Sequence, residues 1–183
     1  MDEEETLKYR YSFLLFFIAF LLQTTVLNHF GIFGMSPNLI LCLVVIFSFL
    51  FEGYHGIIYG LLFGLFVDIC FAQIIGIASI GLFSIALICS ELKRYLYKES
   101  VVSIVIVSLV STTVYGLMYW GIYRMLGNGF DFLYVAEKEA ILLGYHAVVT
   151  LIIYHFVSKS FKHRSDRYMY RGNLQEARSL YRS

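Results

Sequence analysis

Asp68 is the one ionised side chain in the apolar run from Gly56 to Ala72, and it follows Gly60 and Gly64 at intervals of four. Residues four apart share one face of a helix, so Gly60, Gly64 and Asp68 form a single stripe. The glycines leave a groove where another helix can come close, and the carboxyl lies on that groove. A charge held in hydrocarbon costs about 3 kcal/mol or more, so this side chain is expected to face protein rather than lipid. Three chemistries fit such a group. It can be a proton or cation site, a contact for a partner helix, or a carboxyl satisfied by neighbouring hydroxyls or an imidazole.

Other polar residues fall at a comparable depth. Asp68 lies about 18 Å along its helix from the inner end, at 1.5 Å per residue. Gln23 is similarly placed on the first apolar segment, and Thr112 and Thr113 on the fifth. His146 lies about 10 Å down the sixth from the other side. These residues are expected to form one interior polar layer, with His146 as the ionisable partner of Asp68 and Thr112 as a donor. Thr150 and Tyr154 continue the His146 face, and Ser108, Thr112 and Tyr115 make a matching stripe. Ordinary interhelical hydrogen bonding, worth about 0.6 kcal/mol per bond, accounts for the same pattern.

The elements that must position these residues are read from hydropathy. Hydrophobic residues make up 59% of the 183 and charged residues 15%, against about 25% charged in soluble domains. Six apolar segments are marked, at Tyr11–Leu27, Pro37–Phe51, Gly56–Ala72, Ile74–Ser90, Val101–Met125 and Ala140–Val157. The fold expected is an all-α membrane protein, a bundle of six transmembrane helices over residues 1–158 followed by a basic cytoplasmic tail, 159–183. About twenty helical residues cross a bilayer core. On that scale the first, third, fifth and sixth segments are comfortable, and the second and fourth are short. Pro37 suits the first turn of the second helix, with Ser36 as its cap. The acidic start, Asp2 to Glu5, and the lack of a small-residue cleavage site argue against a cleaved signal.

Charge placement orients the segments. With six spans, one side holds Lys8, Arg10, Lys93, Arg94, Lys98 and the seven Lys and Arg residues of the tail, while the other holds only Arg124 and Lys138. Basic residues concentrate on the cytoplasmic side, so both termini are expected inside. The outer face is then a loop near His29–Ser36, a turn near Gln73–Ile75 and a longer loop from Arg124 to Glu139. The tail reads as an anchor on anionic lipid or as a docking site for a cytoplasmic protein. No nucleic-acid partner is expected. Cys42, Cys70 and Cys89 are scattered through apolar runs, unlike a disulfide framework or metal motif. No paired carboxylates, activated Ser or Cys, phosphate-binding Gly loop or His ligand spacing is present in the sequence. Neither an enzyme nor a bound cofactor or metal is expected.

The order of these features resembles the rod shape-determining protein MreD family. The residues that carry the resemblance are Ser36-Pro37-Asn38-Leu39, then Gly60-Leu-Leu-Phe-Gly64-Leu-Phe-Val-Asp68, then Ile75-Gly76. Members often carry an acidic residue where Asn38 stands here, and Leu where Ile75 stands. The resemblance implies a non-enzymatic subunit of the cell-elongation machinery that supports peptidoglycan synthesis. Its implied partners are an MreC-like protein and a complex of RodA-type glycosyltransferase with a penicillin-binding transpeptidase. It also implies a likeness to the six-helix substrate-binding subunits (S-components) of vitamin transporters. A vitamin-transporter substrate subunit of the ECF type is the alternative function.

The asymmetry of charge predicts topology. A reporter fused at Gly129 should read outside and one after Ser183 inside; a tail accessible from outside would contradict the six-span arrangement.

Overall fold

The computed structural model describes the backbone of residues 3–27, 37–50, 54–72, 74–96, 100–127 and 131–180, and side chains within 10–25, 37–50, 54–72, 74–96, 100–127 and 131–157. The chain divides into two compact units, Met1–Leu151 and Ile152–Ser183. Among the described residues the first unit is all helix: α1 (Glu3–Leu22) running into a π-helical turn (Gln23–Leu27), α2 (Leu39–Leu50), α3 (His55–Phe71), α4 (Ile77–Leu92), α5 (Val101–Met125) and the start of α6 (Phe132–Leu180). The second unit is the remainder of α6, helical to Leu180.

Helix lengths differ from the hydropathy reading. Among the described residues, α5 and the stretch Phe132–Val157 are the ones both long and apolar enough to cross a membrane, with mean hydropathy 2.1 and 1.9. α2, α3 and α4 are shorter, at 12, 17 and 16 residues. The third segment therefore falls short of the about twenty residues that cross a bilayer core, whereas α1 with its π-helical turn is helical from Glu3 to Leu27. The loop expected from Arg124 to Glu139 is mostly helix. After a turn at Gly127, where φ is +86°, α6 begins at Phe132, and the Asp131 carbonyl accepts the Val135 N–H at 3.2 Å. Asp131 holds the N-cap position, a preferred place for a short acidic residue. Charged residues at 137–139 then ride on the helix.

α2 is the innermost element. Every residue from Ile40 to Phe49 is buried, and α1, α3, α4 and α5 all pack against it. A helix covered on all sides has no polar stripe, which is why its sequence, LILCLVVIFSFL, shows no period. On one side an aromatic cluster joins α1 to α2 and α3. The Phe16 ring, fully buried, lies 5.3 Å from Phe47, 5.2 Å from Tyr59 and 5.4 Å from Phe63 between centroids.

The glycine stripe of α3 seats the other side. It begins one turn earlier than the sequence reading placed it, at Gly56, whose missing side chain admits Ser48 of α2. A Cβ on Gly60 would stand 3.2 Å from the Leu82 carbonyl of α4 and 3.4 Å from Val44 of α2. One on Gly64 would stand 2.7 Å from Ser79 Cα and 3.0 Å from Ser79 N. The stripe thus passes from α2 to α4 as it climbs, and at Gly64 it meets backbone, which cannot swing aside as a side chain can.

These distances grade the substitutions. Gly64→Ala should destabilise the purified protein by about 1–3 kcal/mol, the range for overpacking, because α3 and α4 must part. Gly60→Ala should be milder, and Leu62→Ala, on the exposed face, milder still. Thermal unfolding in detergent reads the order; equal midpoints for the Gly64 and Leu62 variants would exclude a packing groove.

Candidate functional site

α4 begins at a glycine. Gly76 is its N-cap, with φ +109°, and it has no side chain to cap the helix. The first amides of any helix lack intrahelical partners, and here they are buried with Ile77, Ala78 and Ser79. Asp68 of α3 supplies what Gly76 cannot. Its Oδ1 accepts the Ala78 N–H at 3.0 Å, and its Oδ2 accepts the Ser79 N–H at 2.9 Å and the Ser79 hydroxyl at 2.7 Å. Ala78 and Ser79 are the second and third residues of the helix, where a cap is normally accepted. A carboxylate is acceptor-only and all three groups are donors, so the match is complete. The helix N-terminus also carries partial positive charge, which favours an acid there. Asp68 is only 1% exposed.

The start of α2 is built by the same principle from different residues. Asn38 is its N-cap, and its Oδ1 accepts the Leu41 N–H at 3.0 Å. Gln23, in the π-helical turn after α1, accepts the Ile40 N–H at 3.3 Å. The Asn38 N–H in turn donates to Nε2 of His146 at 2.9 Å. Because Nε2 accepts, the proton of a neutral imidazole sits on Nδ1, which lies 2.7 Å from the Thr112 hydroxyl oxygen. That hydroxyl passes its own proton to the Ser108 carbonyl at 2.8 Å. Every donor in this chain then has an acceptor. One turn along, the hydroxyls of Ser108 and Thr150 pair at 2.7 Å and continue the α5–α6 seam.

The single polar layer of the sequence reading is therefore two separate caps. Gln23, Thr112 and His146 meet around the start of α2, and Asp68 stands with Gly60 and Gly64 against α4. His146 is not the partner of Asp68, because Asn38 and Thr112 take both of its ring nitrogens. Thr113 is exposed and donates to the Leu109 carbonyl. Tyr115 leaves the Ser108–Thr112 stripe and packs on Gly81 of α4. Pro37 is buried but precedes α2 instead of opening it. Ser36 lies outside the described residues, and Asn38 holds the cap position expected of it.

The capping roles of Asn38 and Ser79 and the packing role of Gly56 are additions of the structure to the sequence reading. The signal for Ser79 is in the sequence: a helix opening on Gly76 has no cap of its own, and Asp68 stands eight residues upstream of that glycine. Among the described residues no cluster of three or more His, Cys, Asp or Glu could hold a metal ion.

The caps predict an ordered series at Asp68. Asp68→Asn keeps one acceptor oxygen and should lose about 1–2 kcal/mol, whereas Asp68→Leu leaves buried amides bare at about 1–3 kcal/mol each. Ser79→Ala, which removes only the hydroxyl bond, should be mildest. Thermal midpoints and shape complementation at matched membrane abundance check the order. A Leu variant as stable as Asp would exclude the cap, and a loss of shape control in a fully stable Asn variant would indicate proton chemistry.

No curated protein and no solved structure matches the chain. The family model for rod shape-determining protein MreD matches residues 4–164, a span that holds both caps and the whole glycine stripe. With most of its length inside that match, the chain belongs to the rod shape-determining protein MreD family.

Proposed function

We propose that this chain is a non-enzymatic, multi-pass subunit of the bacterial cell-elongation machinery, acting through contacts with an MreC-like protein and with a RodA-type glycosyltransferase and its penicillin-binding transpeptidase. The observation that carries this reading is the family match over residues 4–164. The interior supports it, since the buried and part-buried polar side chains at the two caps are engaged in closing helix ends. Such groups hold a scaffold in register and leave its outer faces to partners. The membrane reading rests on the family and on the apolar helices, with six crossings in the cytoplasmic membrane and both termini inside, as the basic residues at 159–183 favour. That tail would lie on anionic lipid, where each Lys or Arg contributes about 1 kcal/mol.

Depletion of the protein in a rod-shaped host should give rounded cells or loss of viability through misplaced wall elongation. Pull-down of the native complex should recover shape-machinery partners. Recovery of an ATP-driven coupling module, with nanomolar binding of a vitamin by the purified protein, would move the reading to a transporter subunit.

A further inference from the structure

α5 carries Tyr115, Tyr119 and Tyr123 at intervals of one helical turn. Their rings form a ladder, with centroids 6.0 Å apart for the first pair and 4.9 Å for the second, which is stacked. Facing them across a cavity of about 840 Å³ are Val67, Asp68 and Phe71 of α3 and Glu139 of α6. Asp68 contributes no free acceptor there, because its oxygens are turned to the amides of α4. Glu139 differs. Its carboxyl lies directly over Gly116, in the space that a side chain at that position would fill. Its Oε2 is buried, and among the described residues it has no hydrogen-bond partner. A buried carboxylate oxygen without a donor is costly, so a site that keeps one is suited to a ligand that brings a donor.

The rest of the wall specifies that donor. Aromatic faces carry negative potential and attract cations within about 6 Å of the ring centroid. The two basic side chains at this end of the molecule are engaged with other rings. The Arg124 guanidinium lies 5.5 Å from the Trp120 centroid, and the Lys138 ammonium 4.5 Å from that of Tyr134. Among the described residues Glu139 is left in that space as an acceptor whose Oε2 has no donor, beside the wall formed by the tyrosine ladder. A volume of about 840 Å³ lies within the usual range of small-molecule sites, roughly 300–1,000 Å³. It is far larger than the tip of one Lys or Arg from a partner helix would occupy.

We propose that the cavity between α3, α5 and α6, lined by Tyr115, Tyr119, Tyr123 and Glu139, binds an organic ammonium group, carried by an aminophospholipid headgroup or by a free amine. Glu139 accepts the ammonium protons, and the tyrosine side chains, Tyr119 stacked on Tyr123, line the wall beside it. The apolar wall at Val67, Phe71 and Leu142 takes the attached carbon chain.

Trp120 lines the cavity and is the only tryptophan in the sequence, so its emission reports occupancy. The full chain would be placed in phosphatidylglycerol nanodiscs and titrated in parallel with phosphatidylethanolamine of matched acyl chains and with soluble ethanolamine. A saturable change in emission is expected in at least one arm, and the responding arm identifies the source. Glu139→Gln should weaken it about tenfold or more, as expected for loss of a charge-assisted hydrogen bond. Tyr119→Leu, which takes a ring out of the cavity wall, should weaken it several-fold while Tyr119→Phe, which keeps the ring, should not; this pair decides the matter if the Glu139 variant fails to fold. Three results would overturn the proposal: no saturable response to either amine, equal affinity in wild type and Glu139→Gln, or a response confined to a Lys- or Arg-containing peptide, which would assign the cavity to a basic partner segment. The readout is occupancy alone, so its outcome is separate from the shape phenotype.

Discussion

A helix that begins inside a packed, apolar interior brings unpaired amides with it, and no water is there to receive them. Two helices of this protein begin that way. α2 has 12 residues and α4 has 16, lengths of about 18 and 24 Å at 1.5 Å per residue. Both fall short of a hydrocarbon core of about 30 Å. The buried carboxyl of Asp68 and the part-buried amides of Gln23 and Asn38 follow from this geometry. Each brings a side-chain oxygen to an amide that its own helix cannot satisfy, and His146 extends the α2 cap by receiving the Asn38 N–H.

The glycine stripe and the carboxylate are parts of one device. Asp68 can reach the amides of Ala78 and Ser79 only if the backbones of α3 and α4 are nearly touching, and Gly64 permits that approach at Ser79. Gly76 completes it. Its positive φ sets the short turn between the helices, a conformation that glycine adopts without the strain another residue would carry. Close packing, a tight turn and a borrowed cap thus support one another across residues 60 to 79. Such mutual support gives a local unit a single arrangement.

The seam between α5 and α6 is built on other terms. Its described polar contacts are hydroxyl and imidazole bonds at Ser108, Thr112, His146 and Thr150, and beyond them the helices enclose a cavity edged by tyrosines and Glu139. This member of the rod shape-determining protein MreD family thus combines two kinds of construction. The α2–α3–α4 interior is closely packed, while the region between α3, α5 and α6 is less filled.

The all-helical class, the apolar segments, the family and the α3 stripe were legible in the sequence, because hydropathy and four-residue spacing are local properties of the chain. Gly60, Gly64 and Asp68 could be placed on one face from spacing alone. What that face would meet could not, since helix rotation and neighbour choice depend on the packing of the whole unit. The expected pairing of Asp68 with His146 rested on equal depth, and depth says nothing about direction. The start of α6 was placed too late because charges at 137–139 read as loop, although they ride on a helix opened at Asp131. The sequence by itself determined a membrane-type helical chain with a grooved, acid-bearing third helix and a strongly basic end. Only the tertiary structure decided that the acid closes the start of α4 and that Gln23, Asn38 and His146 close the start of α2. A cap is defined by where another helix happens to begin, and that is a fact of three-dimensional packing rather than of spacing along the chain.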